Sequence, residues 1–324
     1  MRTGSRWATR MDRIVEPPLD EALQRHAPTA HYAVMRNDRV VASCSMWTDG
    51  TPTHEDRPVG LIGHYAAQDE AAGVAVLRHA VEQLRRRGLS TIVAPMDGST
   101  WRRYRLVTER GAEPPFFLEP DNPDEWGSHF ATAGFAPLAH YLSALNGNLA
   151  VVDPRHDTAL TRLADAGVRI RAIDVSRFEQ ELTAVHELSL IAFAHNFLYT
   201  PIALAEFLAM YAPLRSHVHP ELILLAEEGD SLVGFMFGLP DLAQAHRGEP
   251  VTTAIAKTLA VRPDRTGIGL GSVLTGQFQQ VARAMGFTRV IHALMHAGNR
   301  SLDISSRFGQ PFRRYTLYAA SLGS

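Results

Sequence analysis

Three glycines at alternate positions, Gly267, Gly269 and Gly271, sit in the stretch 261–274, VRPDRTGIGLGSVL, between an apolar run and an apolar helical pattern. A loop without side chains brings successive backbone N–H groups to one anion, and a helix start behind it adds a favourable dipole. The chemistry indicated is the holding of a phosphate or pyrophosphate. Groups able to move a proton are more scattered. His292 and His296 follow the glycine segment, Glu227, Glu228 and Asp241 precede it, and Tyr315 and Tyr318 lie near the C-terminus. Lys257 is the only charge in 254–259. Each of these also has a plain structural use: Glu228 in a solvated turn, Asp241 as a turn former, His292 and the two tyrosines as core. A further cluster, STWRRYR at 99–105, places Arg102 and Arg105 beside Trp101 and Tyr104. It suits a carboxylate or phosphate on a substrate, or a solvated basic turn.

The elements that would position these groups follow from periodicity. Residues 168–173 alternate as a strand. Residues 178–196 are helical, with Leu182, Val185, Leu188, Leu190 and Phe193 in phase. A second helix is expected from a Thr200-Pro201 start to about 212, because proline is favoured in a first helical turn. Residues 222–227 and 232–239 read as strands joined at Glu228-Gly229-Asp230, a hairpin signal. Residues 252–261 form the strand before the glycine loop, and 289–295 and 314–319 close the sheet.

Two segments of the chain look alike. Residues 76–96, VLRHAVEQLRRRGLSTIVAPM, and 273–295, VLTGQFQQVARAMGFTRVIHALM, each give an amphipathic helix, a glycine stop and a short strand. The helices are offset by 197 residues and their stops, Gly88 and Gly286, by 198. A fixed offset with matching order indicates duplication of one α/β unit. The same offset places Glu70, Ala72 and Val74 opposite the three loop glycines. Asp69 and Glu70 would repel a pyrophosphate, so one nucleotide site per chain is expected, in the second lobe. The turn-rich stretch 146–166 divides the lobes, giving domains 1–150 and 151–324.

The chain has 324 residues, 45% hydrophobic and 20% charged, with net charge −2. That is a folded protein with no basic surplus for a nucleic-acid backbone. The single cysteine, Cys44, excludes an internal disulfide and a zinc cluster and indicates a reducing, cytoplasmic setting. The first residues lack the apolar core of a secretory signal, and no run approaches the roughly 18 apolar residues that span a bilayer. Neither a metal nor a membrane partner is expected.

Strand, Val-x-Pro, glycine loop and helix, in that order, resemble the acyl-CoA pyrophosphate loop of the GNAT (GCN5-related) N-acetyltransferase superfamily. The element order matches that core over 168–320; over 31–145 the likeness rests mainly on the repeat. The resemblance implies a tandem protein of two GNAT-like lobes, class α/β (α+β), each with a mixed, mostly antiparallel sheet flanked by helices, the N-terminal lobe degenerate. It implies an acyl-CoA co-substrate, acetyl-CoA or a longer one, and acyl transfer to the amine of a small-molecule acceptor by direct attack. The donor would lie along Leu259, Ala260, Val261, Arg262, Arg265, Thr266, Gly267, Ile268, Gly269, Leu270, Gly271 and Ser272, with Asn299 on its pantetheine arm. The Leu259 N–H would polarise the thioester carbonyl. The family has Arg or Gln where this chain has Thr266, and a downstream tyrosine acid where LDISSRFG offers only Ser305 and Ser306. Tyr315 is then the substitute acid and His296 the first candidate base, with water as the other proton acceptor. Phe197 and Tyr199, in the loop between the first two helices, would shape the acceptor pocket, with Arg102 and Arg105 contributed by the first lobe. Alternatives are a non-catalytic acyl-CoA-binding protein, a protein-lysine acetyltransferase and a transferase using charged tRNA. A dinucleotide-binding fold is disfavoured, since its loop follows the first strand.

Overall fold

Alternating apolar runs at the start of the chain become strands β1 (Arg13–Val15), β2 (Ala30–Arg36), β3 (Arg39–Trp47) and β4 (Gly60–Ala67). The structure, a computed structural model, describes residues 12–299 and 301–321, so the reading of the N-terminus falls largely outside the described residues. β2 and β3 turn at Asn37 and Asp38, both with positive φ, as a two-residue hairpin requires. Helix α1 (Glu70–Arg86) follows, then β5 (Thr91–Ala94) and helix α2 (Trp126–Ala133). β1 to β4 pair antiparallel in sequence order, and β5 joins β4 in parallel. The α1 face Val76, Leu77, Ala80 and Leu84 is buried with Val34, Ile62, Ile92 and Phe130.

After β6 (Ala136–Asn146) come helix α3 (His156–Asp165), β7 (Val168–Ala172), α4 (Phe178–Ala192) and α5 (Leu204–Tyr211). Then follow β8 (Ile223–Glu228), β9 (Ser231–Pro240), β10 (Thr253–Val261), α6 (Leu270–Ala284), β11 (Arg289–His296) and β12 (Gln310–Ser321). β7 to β10 pair antiparallel in order, and β11 joins β10 in parallel. Val273, Leu274, Phe278 and Ala282 of α6 pack on Leu224, Met236 and Ala254 of this sheet. The second helix starts at Leu204, three residues beyond the expected Pro201. The Ile202 carbonyl accepts from buried His186 Nε2 at 2.8 Å, which ties this stretch to α4 ahead of the helix.

The two compact units are not contiguous in sequence. One comprises Met1–Leu106, Asn122–Leu138 and Thr316–Ser324, the other Val107–Asp121 and Ala139–Tyr315. A single cut near residue 150 therefore does not describe them. β6, the last strand of the first half, pairs antiparallel with β11, Val290 opposite Asn146 and His292 opposite Ala144. The end of β12 pairs with β5 in the first unit, Tyr318 opposite Ala94. Residues 314–319 thus do not simply close the second sheet. Each sequence half lends its last strand to the other unit's sheet. Periodicity marks which faces of a strand are apolar but not which edge it joins. Among the described residues no helix is long and apolar enough to cross a membrane.

Candidate functional site

β10 and β11 are paired only from Thr253–Arg289 to Ala256–His292. Beyond that point the two strands separate. On its other side β10 stays with β9 as far as Val261, and the register slips between Phe237 and Gly238, so that Lys257 is an extra residue on β10. This is a β-bulge, which bends and twists its strand. The Arg262 N–H donates to the Val233 carbonyl at 2.9 Å. In an antiparallel ladder hydrogen-bonded pairs alternate. With the register Ala260–Phe235 and Leu259–Met236, it follows that Ala260 bonds to β9 while the N–H and C=O of Leu259 and Val261 face away from it, into the gap.

The glycine loop opens directly after this strand. Gly267 and Gly269 have φ of 92° and 91°, a region in which L side chains are strained. Gly269 is the N-cap of α6 and supplies no side-chain cap, so the N–H groups of the first turn are left for another acceptor. A helix start in this state can take an anion. Around it, Arg162 of α3 donates to the Ile268 carbonyl at 2.7 Å, and Arg307 lies 3.4 Å from Ser272 Oγ and 3.2 Å from Asp153. Neither arginine was singled out by sequence reasoning, because both come from elements remote in sequence. Arg262 is paired with Asp264 at 2.7 Å and Arg265 with Glu228 at 2.7 Å. Such exposed pairs are worth about 0–1 kcal/mol, so a phosphate can displace them. Thr266 Oγ1 donates to the Pro263 carbonyl, and Asn299 N–H to the His296 carbonyl in the turn after β11.

The corresponding place in the first unit is built differently. Parallel pairing of β4 and β5 continues past Leu61–Val93 through a 2.8 Å bond from Met96 N–H to the Ile62 carbonyl. Asp97 Oδ1 then accepts the His64 N–H at 2.6 Å. A Cβ on Gly63 would stand 2.3 Å from the Met96 carbonyl oxygen, so the backbones touch where β10 and β11 part. The N-cap of α1 is Asp69, whose carboxylate accepts the Ala72 N–H and pairs with Arg36 at 2.6 Å. The counterpart of Gly269 is therefore Asp69, 200 residues away rather than 197, because the second-unit loop is longer.

The proton-moving candidates do not converge. Glu227 is committed to Arg169 and Arg171, the latter holding its carboxyl below the usual range. Glu228 faces Arg265. Asp241 caps the short helix Leu242–His246 and accepts the Phe117 N–H, while burial raises its pKa. His292 is buried with Nδ1 2.8 Å from Ser305 Oγ, and burial pushes its pKa down to about 4. His296 lies against the rings of Tyr141 and Phe197, with centroids 5.0 and 5.5 Å away. Its Nδ1 accepts the Gly298 N–H at 2.9 Å, so in the neutral ring the proton sits on Nε2, which is then a donor. Phe197 thus lies beside His296, and burial raises the Tyr199 pKa. Tyr318 belongs to the first unit, stacked on Phe130. So do Arg102, bonded to the His26 and Asp97 carbonyls, and Arg105, which lies 4.0 Å over the Tyr104 ring.

Tyr315 is fully buried in the second unit, within a network that sequence reasoning missed. Its hydroxyl donates to Glu119 and lies 2.9 Å from Ser143 Oγ. Glu119 Oε2 accepts the Phe116 N–H at 3.1 Å, and Oε1 is 3.2 Å from Arg313 Nε, both side chains 0% exposed. Burial raises the Glu119 carboxyl against the opposing pull of Tyr315 and Arg313. Ser143 Oγ accepts the Leu294 N–H at 3.0 Å. Leu294 has φ of 59°, a conformation costing about 1–2 kcal/mol for an L-residue. It lies where the β11–β6 register slips, residues 293 and 294 facing Ser143 alone.

A parallel pair that parts before an uncapped glycine-loop helix is the arrangement that the resemblance to the GNAT superfamily implies. Residues 183–305, within the second unit, match the family model described as the Acetyltransferase (GNAT) family. The chain is 28% identical over 227 residues to the bacterial ceramide synthase of Caulobacter vibrioides, covering 68% of this chain and 58% of that protein. It therefore spans less than two thirds of that relative's length. Two solved structures share the fold. A GCN5-related glucosamine N-acetyltransferase region of a fungal multi-domain β-N-acetylglucosaminidase gives a TM-score of 0.57 at 16% identity, over 92% of this chain and 33% of that one. A tandem GNAT protein from the clavulanic acid biosynthesis pathway gives 0.51 at 16% identity, over 93% and 86%.

Proposed function

We propose that the second unit transfers an acyl group from an acyl-CoA, acetyl in the simplest case, to the amine of a small-molecule acceptor, with one donor site per chain. The observation that carries this reading is the end of β10–β11 pairing at Ala256–His292, directly before an uncapped helix start. The backbone groups of Leu259 and Val261 are free to bond a pantetheine arm as a further strand would. N–H groups of Gly267 to Ser272 hold the pyrophosphate, with Thr266, Arg262, Arg265, Arg162 and Arg307 around it and Asn299 beside the arm. The bound donor supplies an activated thioester carbonyl. The Leu259 N–H donates to its oxygen, an interaction that strengthens as negative charge develops there. Phe197 and Tyr199 border the acceptor, and His296 orients it through Nε2–H. The ammonium proton of the acceptor leaves to water, since Glu227 and Asp241 are engaged elsewhere and Glu228 lies at the phosphate end beside Arg265. The C–S bond breaks as the C–N bond forms, and the CoA thiolate takes its proton from water. Tyr315, enclosed between Ser143 and Glu119, acts on the site indirectly. The first unit, with its strands in contact and its helix capped by Asp69, holds no donor.

The name of the Caulobacter relative favours one refinement, a long-chain amine as acceptor. Thermal-shift titration with acetyl-CoA and palmitoyl-CoA tests the donor site, wild type beside Ser272→Glu. Glutamate at the third helical position stabilises a helix start yet repels a phosphate. Wild type at a hundredfold excess over Kd gains about 2.7 kcal/mol. The variant is expected to gain nothing. No shift in wild type with either donor would sink the reading. Thiol release with short polar amines and with long-chain amino alcohols then separates the acceptor classes.

A further inference from the structure

We infer that Glu119, Tyr315 and Ser143 form a positioning relay that holds β11 bent away from β10 and so keeps open the slot for the acyl-pantetheine arm. The inference rests on the acyl-CoA reading above, which names the slot but not what maintains it. Two strands that pair in parallel from Thr253 to Ala256 would by default continue to pair. The first unit shows this outcome, with its strands in backbone contact at Gly63 and Met96. In the second unit β11 instead carries a bulge against β6 at residues 293 and 294, with Leu294 in the left-handed region. That conformation is unfavourable for leucine and needs a compensating bond.

The compensation comes from a chain of hydrogen bonds that ends on Glu119. A carboxylate only accepts, so the single Tyr315 proton points to Glu119. The 2.9 Å contact between Tyr315 Oη and Ser143 Oγ must then be a donation by Ser143. A lone pair of Ser143 is left for the Leu294 N–H at 3.0 Å. The chain of donors thus has one polarity, from the bulge to Glu119, and a charged acceptor at its end strengthens every link. Glu119 is itself held, by the Phe116 N–H and by Arg313, whose Nη2 donates to the Glu113 and Pro114 carbonyls. Arg313 and Tyr315 lie on the same strand and Ser143 on β6, next to β11. The device therefore uses the segment 107–121, from the first half of the sequence, to set the geometry of a site in the second.

Tyr315→Phe and Ser143→Ala remove single oxygens and leave the Glu119–Arg313 pair intact. The probes are acetyl-CoA, which needs the slot, and adenosine 3′,5′-bisphosphate, which lacks the pantetheine arm and needs only the helix start. Calorimetric titration is expected to show acetyl-CoA weakened about tenfold in each variant, about 1.4 kcal/mol, the size of one net hydrogen bond. Affinity for the bisphosphate should stay within about twofold, below the scale of one such bond. Because both variants break one chain, the double variant should lose no more than either alone. Equal retention of both probes by the variants would overturn the relay, and so would equal loss of both, which is general damage. Wild type binding neither probe would instead remove the acyl-CoA reading itself. Wild type holding the two with equal affinity would show that the slot grips no arm.

Discussion

Leu259→Pro tests the backbone chemistry of β10 most directly. Proline deletes one N–H and fixes φ near −65°, so its cost depends on where that N–H points. The Arg262–Val233 bond and the register give Ala260 to the β9 ladder and Leu259 to the gap. Leu259→Pro therefore removes no ladder bond, and the preceding Thr258 is already extended, as a residue before proline prefers. Its stability cost is the loss of part of a half-buried side chain, about 1 kcal/mol. Ala260→Pro has the opposite parity. It breaks a ladder bond and strands the Phe235 carbonyl, for about 3 kcal/mol in all. At roughly 2–4 °C per kcal/mol for a unit of this size, Ala260→Pro should melt several degrees below Leu259→Pro. In catalysis the order reverses. Loss of an oxyanion-type donor costs about 10²–10³ in kcat, so Leu259→Pro should be nearly inactive while holding acyl-CoA. Differential scanning fluorimetry and thiol-release kinetics on the two variants decide it. A Leu259→Pro enzyme that turns over within about threefold of wild type would refute the donor assignment. A Leu259→Pro protein less stable than Ala260→Pro would refute the parity on which it stands.

Gly63→Ala brings a Cβ to 2.3 Å from the Met96 carbonyl oxygen and should force β4 and β5 apart, destabilising the first unit by about 3 kcal/mol with little effect on acyl-CoA affinity. An unchanged urea midpoint would show that the contact is slack. Burial, reinforced by His31 and Arg102, pushes the His64 pKa down to about 4 from an ordinary 6.5. The folded state therefore keeps His64 neutral while the unfolded chain takes up its proton near pH 6.5. Stability is complete above that pH and falls as pH drops from 6.5 towards 4, by up to about 3 kcal/mol. His64→Gln should flatten that part of a urea-stability profile, and an unaltered slope would show that other groups carry it.

Much of the proposed donor site is local in origin, and its backbone was legible. Gly267 and Gly269 adopt the backbone that only glycine takes easily, and α6 starts at the residue after Gly269. The hairpin at Gly229, the stop at Gly286 and the two amphipathic helices follow from residue type and period within short windows. The proton-moving groups were not legible. Glu227, Glu228 and Asp241 are plausible bases in a one-dimensional reading, and each is spent on a partner, Arg171, Arg265 or the Phe117 N–H, that only folding brings near. His296 looked like a base until the Gly298 N–H claimed its Nδ1 lone pair.

By itself the sequence determined the order of elements, the position of the glycine-loop helix start and the likeness of two helix–strand segments. These depend on dihedral preferences and apolar period, which act over a few residues. Tertiary structure alone decided that the halves exchange their last strands, that β10 and β11 part after Ala256, and that Glu119 reaches Tyr315 across 196 residues of chain. Strand edges carry the same N–H and C=O groups whatever their side chains. Which edges meet, and where they separate, is settled by the packing of the whole sheet and by the buried polar groups that must find partners within it.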